Sequence, residues 1–124
     1  MKSVEDATSL ETLRATVAAR YAFSPLPVAT WEKVGVATNV RSGLLPLNGV
    51  RHLPEAGTSG WYIWAGHEIS DDPDFFVPLH AIHLQAWCPI ALPYIEAPPG
   101  WRFLVAPGYE DLWFDPDIDL YPSK

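Results

Sequence analysis

The sequence contains one cysteine, Cys88, among its 124 residues. A single cysteine cannot close an internal disulfide, and its use is more typical of a reducing compartment than of a small secreted domain. A catalytic thiol needs a histidine base beside it, and the spacing of His83 does not place it on the same helical face as Cys88. We therefore expect Cys88 to be a buried structural thiol, because free cysteine is among the most buried residue types.

Long apolar runs are also missing. No segment approaches the roughly 20 apolar residues that a membrane-spanning helix needs. Charged residues recur through the first 20 positions, so no apolar segment of a secretion signal is visible there. These absences favour a soluble protein of the cytoplasm.

Basic residues are few. Eight Lys and Arg residues stand against fifteen Asp and Glu residues, which gives a formal net charge of −7. This balance disfavours nucleic-acid binding and docking on an anionic membrane, and it favours a cationic protein partner or simple solubility. The excess belongs to one half of the chain: residues 1–67 hold five acids and six bases, whereas residues 68–124 hold ten acids and two bases. The second half is therefore the candidate binding region.

Apolar residues, in contrast, are plentiful. They make up 48% of the chain and charged residues only 19%, so the sequence is not that of a disordered protein. The length is typical of one domain. We expect a single domain over 1–124, with an N-terminal helical extension at 1–29, a core at 30–116 and a tail at 117–124.

Two helices are predicted. The first spans 8–22, where Thr8 and Glu11 form a capping-box pair. Its apolar face recurs at helical spacing and consists of Leu10, Leu13, Val17 and Tyr21. The second spans 79–87 and ends before Pro89.

Extended segments are predicted at 34–40, 44–50, 61–65, 101–106 and 112–114, the last two as a hairpin. Pro46 is expected to break the second segment or to keep it at a sheet edge. Trp61 and Trp64 are three positions apart in one strand, so their rings should lie on opposite faces. The predicted fold class is α+β: an antiparallel sheet of about four to five strands with two helices packed on one face.

The acids of 68–74 allow two interpretations. Asp71, Asp72 and Asp74 precede Phe75 and Phe76, and they lack the central glycine and closing glutamate of a calcium loop. Such a stretch is a solvated loop by default. The alternative is an acidic loop that faces a protein partner, because aromatic side chains beside carboxylates are typical of interfaces.

Two further alternatives remain open at this point. His80 and His83 are spaced so that they can share a metal on a helix, with His67, Asp72 or Asp74 as a third ligand, and a small metal-dependent enzyme would follow. No HExxH, phosphate-loop or nucleophile-elbow motif accompanies them, so no cofactor is expected. The second alternative is an accessory domain that forms a homodimer through strand 61–65 or through the edge of the hairpin.

Three stretches carry a resemblance to a known family. They are GWYIWAG at 60–66, SDDPDFFVPLH at 70–80 and PGWRFLVAPGYEDLWFD at 99–115. Over roughly residues 30–116 the chain resembles a bacterial family of predicted immunity proteins, numbered 33 among the polymorphic-toxin immunity families. The resemblance implies a cytoplasmic, non-enzymatic α+β domain that blocks a toxin by direct binding, and it transfers no catalytic motif.

The leading interpretation joins this resemblance to the charge distribution. The acidic half would cover a basic surface on a toxin such as a nuclease, and a few aromatic residues would hold the complex together. The candidate partner-binding residues are Asp71, Asp72, Asp74, Phe75, Phe76, Trp113 and Asp115.

Overall fold

The first helix, α1, spans Leu10–Tyr21 in the computed structural model, which describes residues 9–118. Ser9 is its N-cap, because the backbone N–H of Thr12 donates to Ser9 Oγ at 3.0 Å. Ala22 takes a left-handed conformation and ends the helix. The helix is confirmed, but its cap is one residue later than expected, and Thr8 lies outside the described residues.

Within residues 9–118, six strands form one sheet in the order β4-β1-β3-β2-β5-β6. Strands β1 and β3 are parallel, and every other neighbouring pair is antiparallel. The α+β class is confirmed, but the sheet has six strands rather than four or five, and it is mixed rather than antiparallel. The strands are β1 Lys33–Ala37, β2 Leu47–Arg51, β3 Thr58–Ala65, β4 Phe76–His80, β5 Trp101–Ala106 and β6 Tyr109–Phe114.

Strand β2 lies inside the sheet, between β3 and β5, so the edge position that Pro46 allowed is wrong. The other expectation, that Pro46 breaks the segment at 44–50, is confirmed, because the strand begins at Leu47. Pro46 precedes the strand, and its missing N–H therefore removes nothing from either ladder. Strand β3 is also internal, because β1 and β2 flank it. Self-association through strand 61–65 consequently lacks a free edge. The predicted β5–β6 hairpin is confirmed, with Ala106 opposite Tyr109 at its turn.

The helix expected at 79–87 is wrong for most of its length. Residues 76–80 form β4, Ala81–His83 form a 3₁₀ turn, and only Leu84–Trp87 are α-helical, as α2. The reason is a tertiary tether: the N–H groups of Ala81 and Ile82 donate to the carbonyls of Glu32 and Thr30, at 2.8 and 3.1 Å.

Further 3₁₀ helices span Thr38–Ser42 and Pro89–Tyr94. None of the helices within residues 9–118 is long and apolar enough to cross a membrane.

The helical segments cover one face of the sheet. The main buried cluster lies there and includes Val17 of α1, Trp61, Phe103 and Leu84. On the other side, here called the second face, a smaller cluster consists of Ala37, Val50 and Trp64, with Phe75, Phe76 and Ile118 packed against it. Trp61 and Trp64 thus lie on opposite faces as predicted. Trp64 is buried, although the residues packed against it do not belong to a helix.

Candidate functional site

The acidic loop, residues 66–75, connects β3 to β4. Its carboxylates are exposed, and within the described part of the chain none of them forms an ion pair. Main-chain hydrogen bonds shape the loop: Asp74 N–H donates to Asp72 Oδ1 at 2.9 Å, and Phe75 N–H donates to the Asp72 carbonyl at 2.9 Å. Asp72 therefore orders the turn, whereas Asp71 and Asp74 project their charge into solvent.

Phe75 and Phe76 anchor this loop to the second face. Both are half-buried, and their rings make an edge contact with centroids 4.9 Å apart. The Phe76 ring also meets Tyr62 at 5.2 Å and Trp64 at 6.1 Å. Phe75 and Phe76 were expected to face a partner, but much of their surface is buried in contacts within the protein. These contacts hold the acids of the loop in place.

Trp113 and Asp115 lie at the other edge of the sheet. Trp113 is 37% exposed and is paired in register with Arg102. Because its neighbour Leu112 belongs to the main cluster, Trp113 points to the second face. Asp115 is compensated, since Arg102 Nη1 donates to its Oδ2 at 3.2 Å.

Phe75, Phe76 and Trp113 therefore lie on the second face without forming one cluster. Asp71, Asp72 and Asp74 belong to the loop that the two phenylalanines anchor. Phe76 on β4 and Trp113 on β6 are separated by five strand spacings, which is about 24 Å. A standard protein interface buries about 800 Å² on each partner, a patch roughly 32 Å across. One partner can thus reach both edges of this face.

His80 and His83, the alternative metal pair, are not on one helix. His80 is the last residue of β4 and His83 belongs to the following 3₁₀ turn, and both are exposed. Among residues 9–118, no group of three or more His, Cys, Asp or Glu side chains is placed to hold a metal ion. The geometric premise of the metal-enzyme hypothesis is therefore wrong.

Glu110 is the centre of a polar cluster that sequence reasoning missed. Its carboxylate accepts hydrogen bonds from Arg20, from Tyr21 Oη at 3.1 Å and from Tyr94 Oη at 3.0 Å. Burial works against the charged form, but these donors outweigh it and hold the pKa of Glu110 below its ordinary value. The cluster ties α1 to β6, and no local pattern indicates it because the partners are far apart in sequence.

The pKa of the neighbouring Tyr94 changes in the opposite direction to that of Glu110. Burial, followed by the hydrogen bond to Glu110, raises the pKa of Tyr94 to about 12. A cavity of about 280 Å³ adjoins the pair at the turn of the β5–β6 hairpin. Every oxygen of the Glu110 carboxylate is already hydrogen-bonded, so the cluster functions as a structural tie.

Arg51 was also missed. It is only 1% exposed, and its guanidinium donates to the carbonyls of Ser59, Leu26 and Ala97 at 2.8–3.0 Å. Burial lowers the pKa of Arg51 to about 10, with Glu32 and Glu96 opposing the change, so the side chain stays charged at neutral pH. An arginine at the end of a strand resembles a solvent-facing residue, and nothing in the sequence marks this one as buried.

Cys88 is buried, as expected, and burial raises the pKa of its thiol to about 11. At neutral pH it is a protonated thiol, which is neither a nucleophile nor a metal ligand.

The family model described as the Imm33-like domain matches residues 13–115, a range that begins inside α1 and includes every strand and all seven candidate residues. No curated protein and no solved structure matches the chain. The match covers most of the sequence, and it confirms the resemblance to immunity family 33: the chain belongs to the Imm33-like domain family.

Proposed function

We propose that this protein is a non-enzymatic immunity protein of the cytoplasm that neutralises a cognate bacterial toxin by binding it directly. The observation that carries the proposal is the acidic loop, whose exposed carboxylates form no ion pair among the described residues. In a chain of an immunity-type family, such a surface fits a basic partner.

The partner is inferred from charge. The carboxylates of Asp71 and Asp74 are held outward by the turn that Asp72 organises. A toxin that acts on an anionic substrate, such as a nuclease, presents cationic residues around its active site. Attraction between the acidic loop and those cationic residues accelerates association. Once bound, the loop covers the residues and blocks access of the substrate.

Aromatic residues supply the second part of the interface. Trp113 is exposed beside the paired Asp115, and tryptophan is enriched among the residues that contribute most to binding free energy. Phe75 and Phe76 contribute by fixing the loop on the second face. We expect Trp113→Ala to weaken toxin binding by about 2 kcal/mol, because truncation of a tryptophan that anchors an interface typically costs that much.

The proposal is tested with a toxin domain encoded by a neighbouring gene. In the variant Asp71→Asn/Asp74→Asn the turn-forming carboxylate of Asp72 remains, so the fold of the loop is kept while two charges are lost. The matched control, Glu11→Gln/Glu55→Gln, removes two exposed charges from α1 and from the β2–β3 connection. Stopped-flow measurements at low salt should give slower association for the loop variant alone.

Rescue of cells that express the toxin completes the test. The loop variant should protect less well than the control variant. Equal protection by the two would overturn the choice of surface, and no binding by the unaltered chain to such a toxin would overturn the function.

A further inference from the structure

In the described part of the chain, strand β6 is an edge strand with main-chain groups left unpaired. It is the last strand in the sheet order, and among residues 9–118 β5 is its single neighbour. Asp115 N–H donates to the Gly100 carbonyl at 2.9 Å, which makes that pair a hydrogen-bonded one. Because hydrogen-bonded pairs alternate in an antiparallel ladder, Trp113 and Asp111 also bond to β5.

The intervening residues must then point their main-chain groups away from the sheet. These are Glu110, Leu112 and Phe114, whose N–H and C=O groups lie on the free side of β6. No residue between 9 and 118 outside the strand pairs with these N–H groups. Three regularly spaced donors and acceptors are therefore open to another strand.

The opposite edge differs. Strand β4 has only five residues, and Pro78 at its centre has no N–H to offer. Proline is a common way of blunting an edge strand, and β6 contains none. Of the two edges, β6 is the one suited to accept a further strand.

Side chains along β6 define the chemistry of that strand. On the second face Tyr109, 53% exposed, and Trp113 flank the exposed Asp111. On the other face Glu110 is already neutralised by Arg20. An incoming strand gains most with a lysine or arginine opposite Asp111 and apolar side chains opposite the two aromatic rings.

We propose that β6 is a strand-addition site, and that an extended, basic segment of the toxin binds along it as a seventh strand of the sheet. The inference rests on the proposed function and adds the mode of docking. Main-chain hydrogen bonds supply affinity, and the lysine or arginine opposite Asp111 supplies specificity. The same partner then extends over the second face towards the acidic loop.

Hydrogen exchange of the ¹⁵N-labelled full chain tests the docking mode. In the free protein the amides of Glu110, Leu112 and Phe114 should exchange fast, while those of Asp111 and Trp113 are protected by β5. With the toxin domain of the neighbouring gene bound, the first three should slow by roughly tenfold or more. If the toxin binds and these three amides stay fast, strand addition is wrong and the proposed function stands.

A paired substitution isolates the main-chain contribution. Phe114→Pro removes an outward N–H at the end of the strand, and Phe114→Ala removes the same ring but keeps the N–H. Both leave the ladder with β5 unchanged, because Phe114 does not bond to it. We expect the proline variant to bind the toxin roughly two- to tenfold more weakly than the alanine variant, which is the effect of one hydrogen bond. Equal affinities would contradict the proposal.

A second copy of the chain is the competing occupant of the same edge. Light scattering across a range of protein concentrations distinguishes the two. A monomer that binds the toxin with the exchange pattern above supports the proposal. A dimer whose formation protects the same three amides in the absence of toxin would overturn it.

Discussion

Arg51 brings a positive charge into the core, where its donors meet main-chain carbonyls rather than a carboxylate. The carbonyls of Leu26 and Ala97 belong to irregular segments, which have no ladder of their own to satisfy them. One guanidinium thus joins β2 to two segments that pack beneath the sheet. Its fork of several donors is what the site requires, and lysine lacks it.

We expect Arg51→Met to lower the free energy of unfolding by at least about 3 kcal/mol, because several buried carbonyls lose their donor at once. The control is Arg102→Met, which breaks an ion pair whose side chains are 33% and 23% exposed and should cost about 1 kcal/mol or less. Urea unfolding of both variants measures the difference. Similar losses for the two would show that Arg51 is not a structural tie.

At the scale of the elements, local sequence patterns predicted some helices and strands correctly. They could not predict the segments whose structure depends on tertiary contacts. The strand at 61–65 could be predicted because it is rich in aromatic and β-branched residues. The β5–β6 hairpin could be predicted because a Pro-Gly turn separates its two strands. Strand β4 could not, since Pro78 argues against a strand until its edge position is known. The same holds for the candidate site. The acidic loop could be predicted from the charge distribution along the sequence, whereas the free edge of β6 depends on the strand order.

Strand β2 also depends on a close approach that only glycine allows. The ring of Phe103 lies against Gly49, so that a Cβ at this position would overlap it. Phe103 cannot move away easily, because it is 1% exposed and its ring packs against Trp61 at 5.2 Å. Gly35 is similar on the second face, where a Cβ would lie 2.7 Å from Cδ2 of the half-exposed Tyr62.

These two glycines give a matched prediction. Gly49→Ala should destabilise the protein by about 2–3 kcal/mol, the range found when extra volume enters a packed core. Gly35→Ala should cost clearly less, because Tyr62 can rotate towards solvent. Thermal unfolding followed by circular dichroism compares them. The packing argument fails if Gly35→Ala proves the more damaging substitution.

At the scale of the whole molecule, acidity acts on function and stability in opposite ways. A net charge of −7 attracts a basic partner, but it also repels itself within the compact state. Three of the acids within residues 9–118 offset this by pairing: Glu96 with Arg14, Glu110 with Arg20 and Asp115 with Arg102. The four acids of the loop, Glu68, Asp71, Asp72 and Asp74, form no such pair within the described part of the chain. These unpaired charges are available for binding, whereas the paired charges stabilise the fold.

The stabilising effect of the Glu110 carboxylate can be measured through its dependence on pH. Its pKa is lower in the folded protein than in the unfolded chain, so the folded state favours the carboxylate. Its stabilisation is therefore fully present above the ordinary glutamate pKa, and it is lost as the pH falls through the lower folded value. We expect Glu110→Gln to melt at a lower temperature than the unaltered protein at neutral pH, and the gap to close in acid. The control Glu11→Gln removes one exposed charge from α1 and should track the unaltered protein throughout. A gap for Glu110→Gln that is constant with pH would mean that its carboxylate charge does not hold α1 against β6.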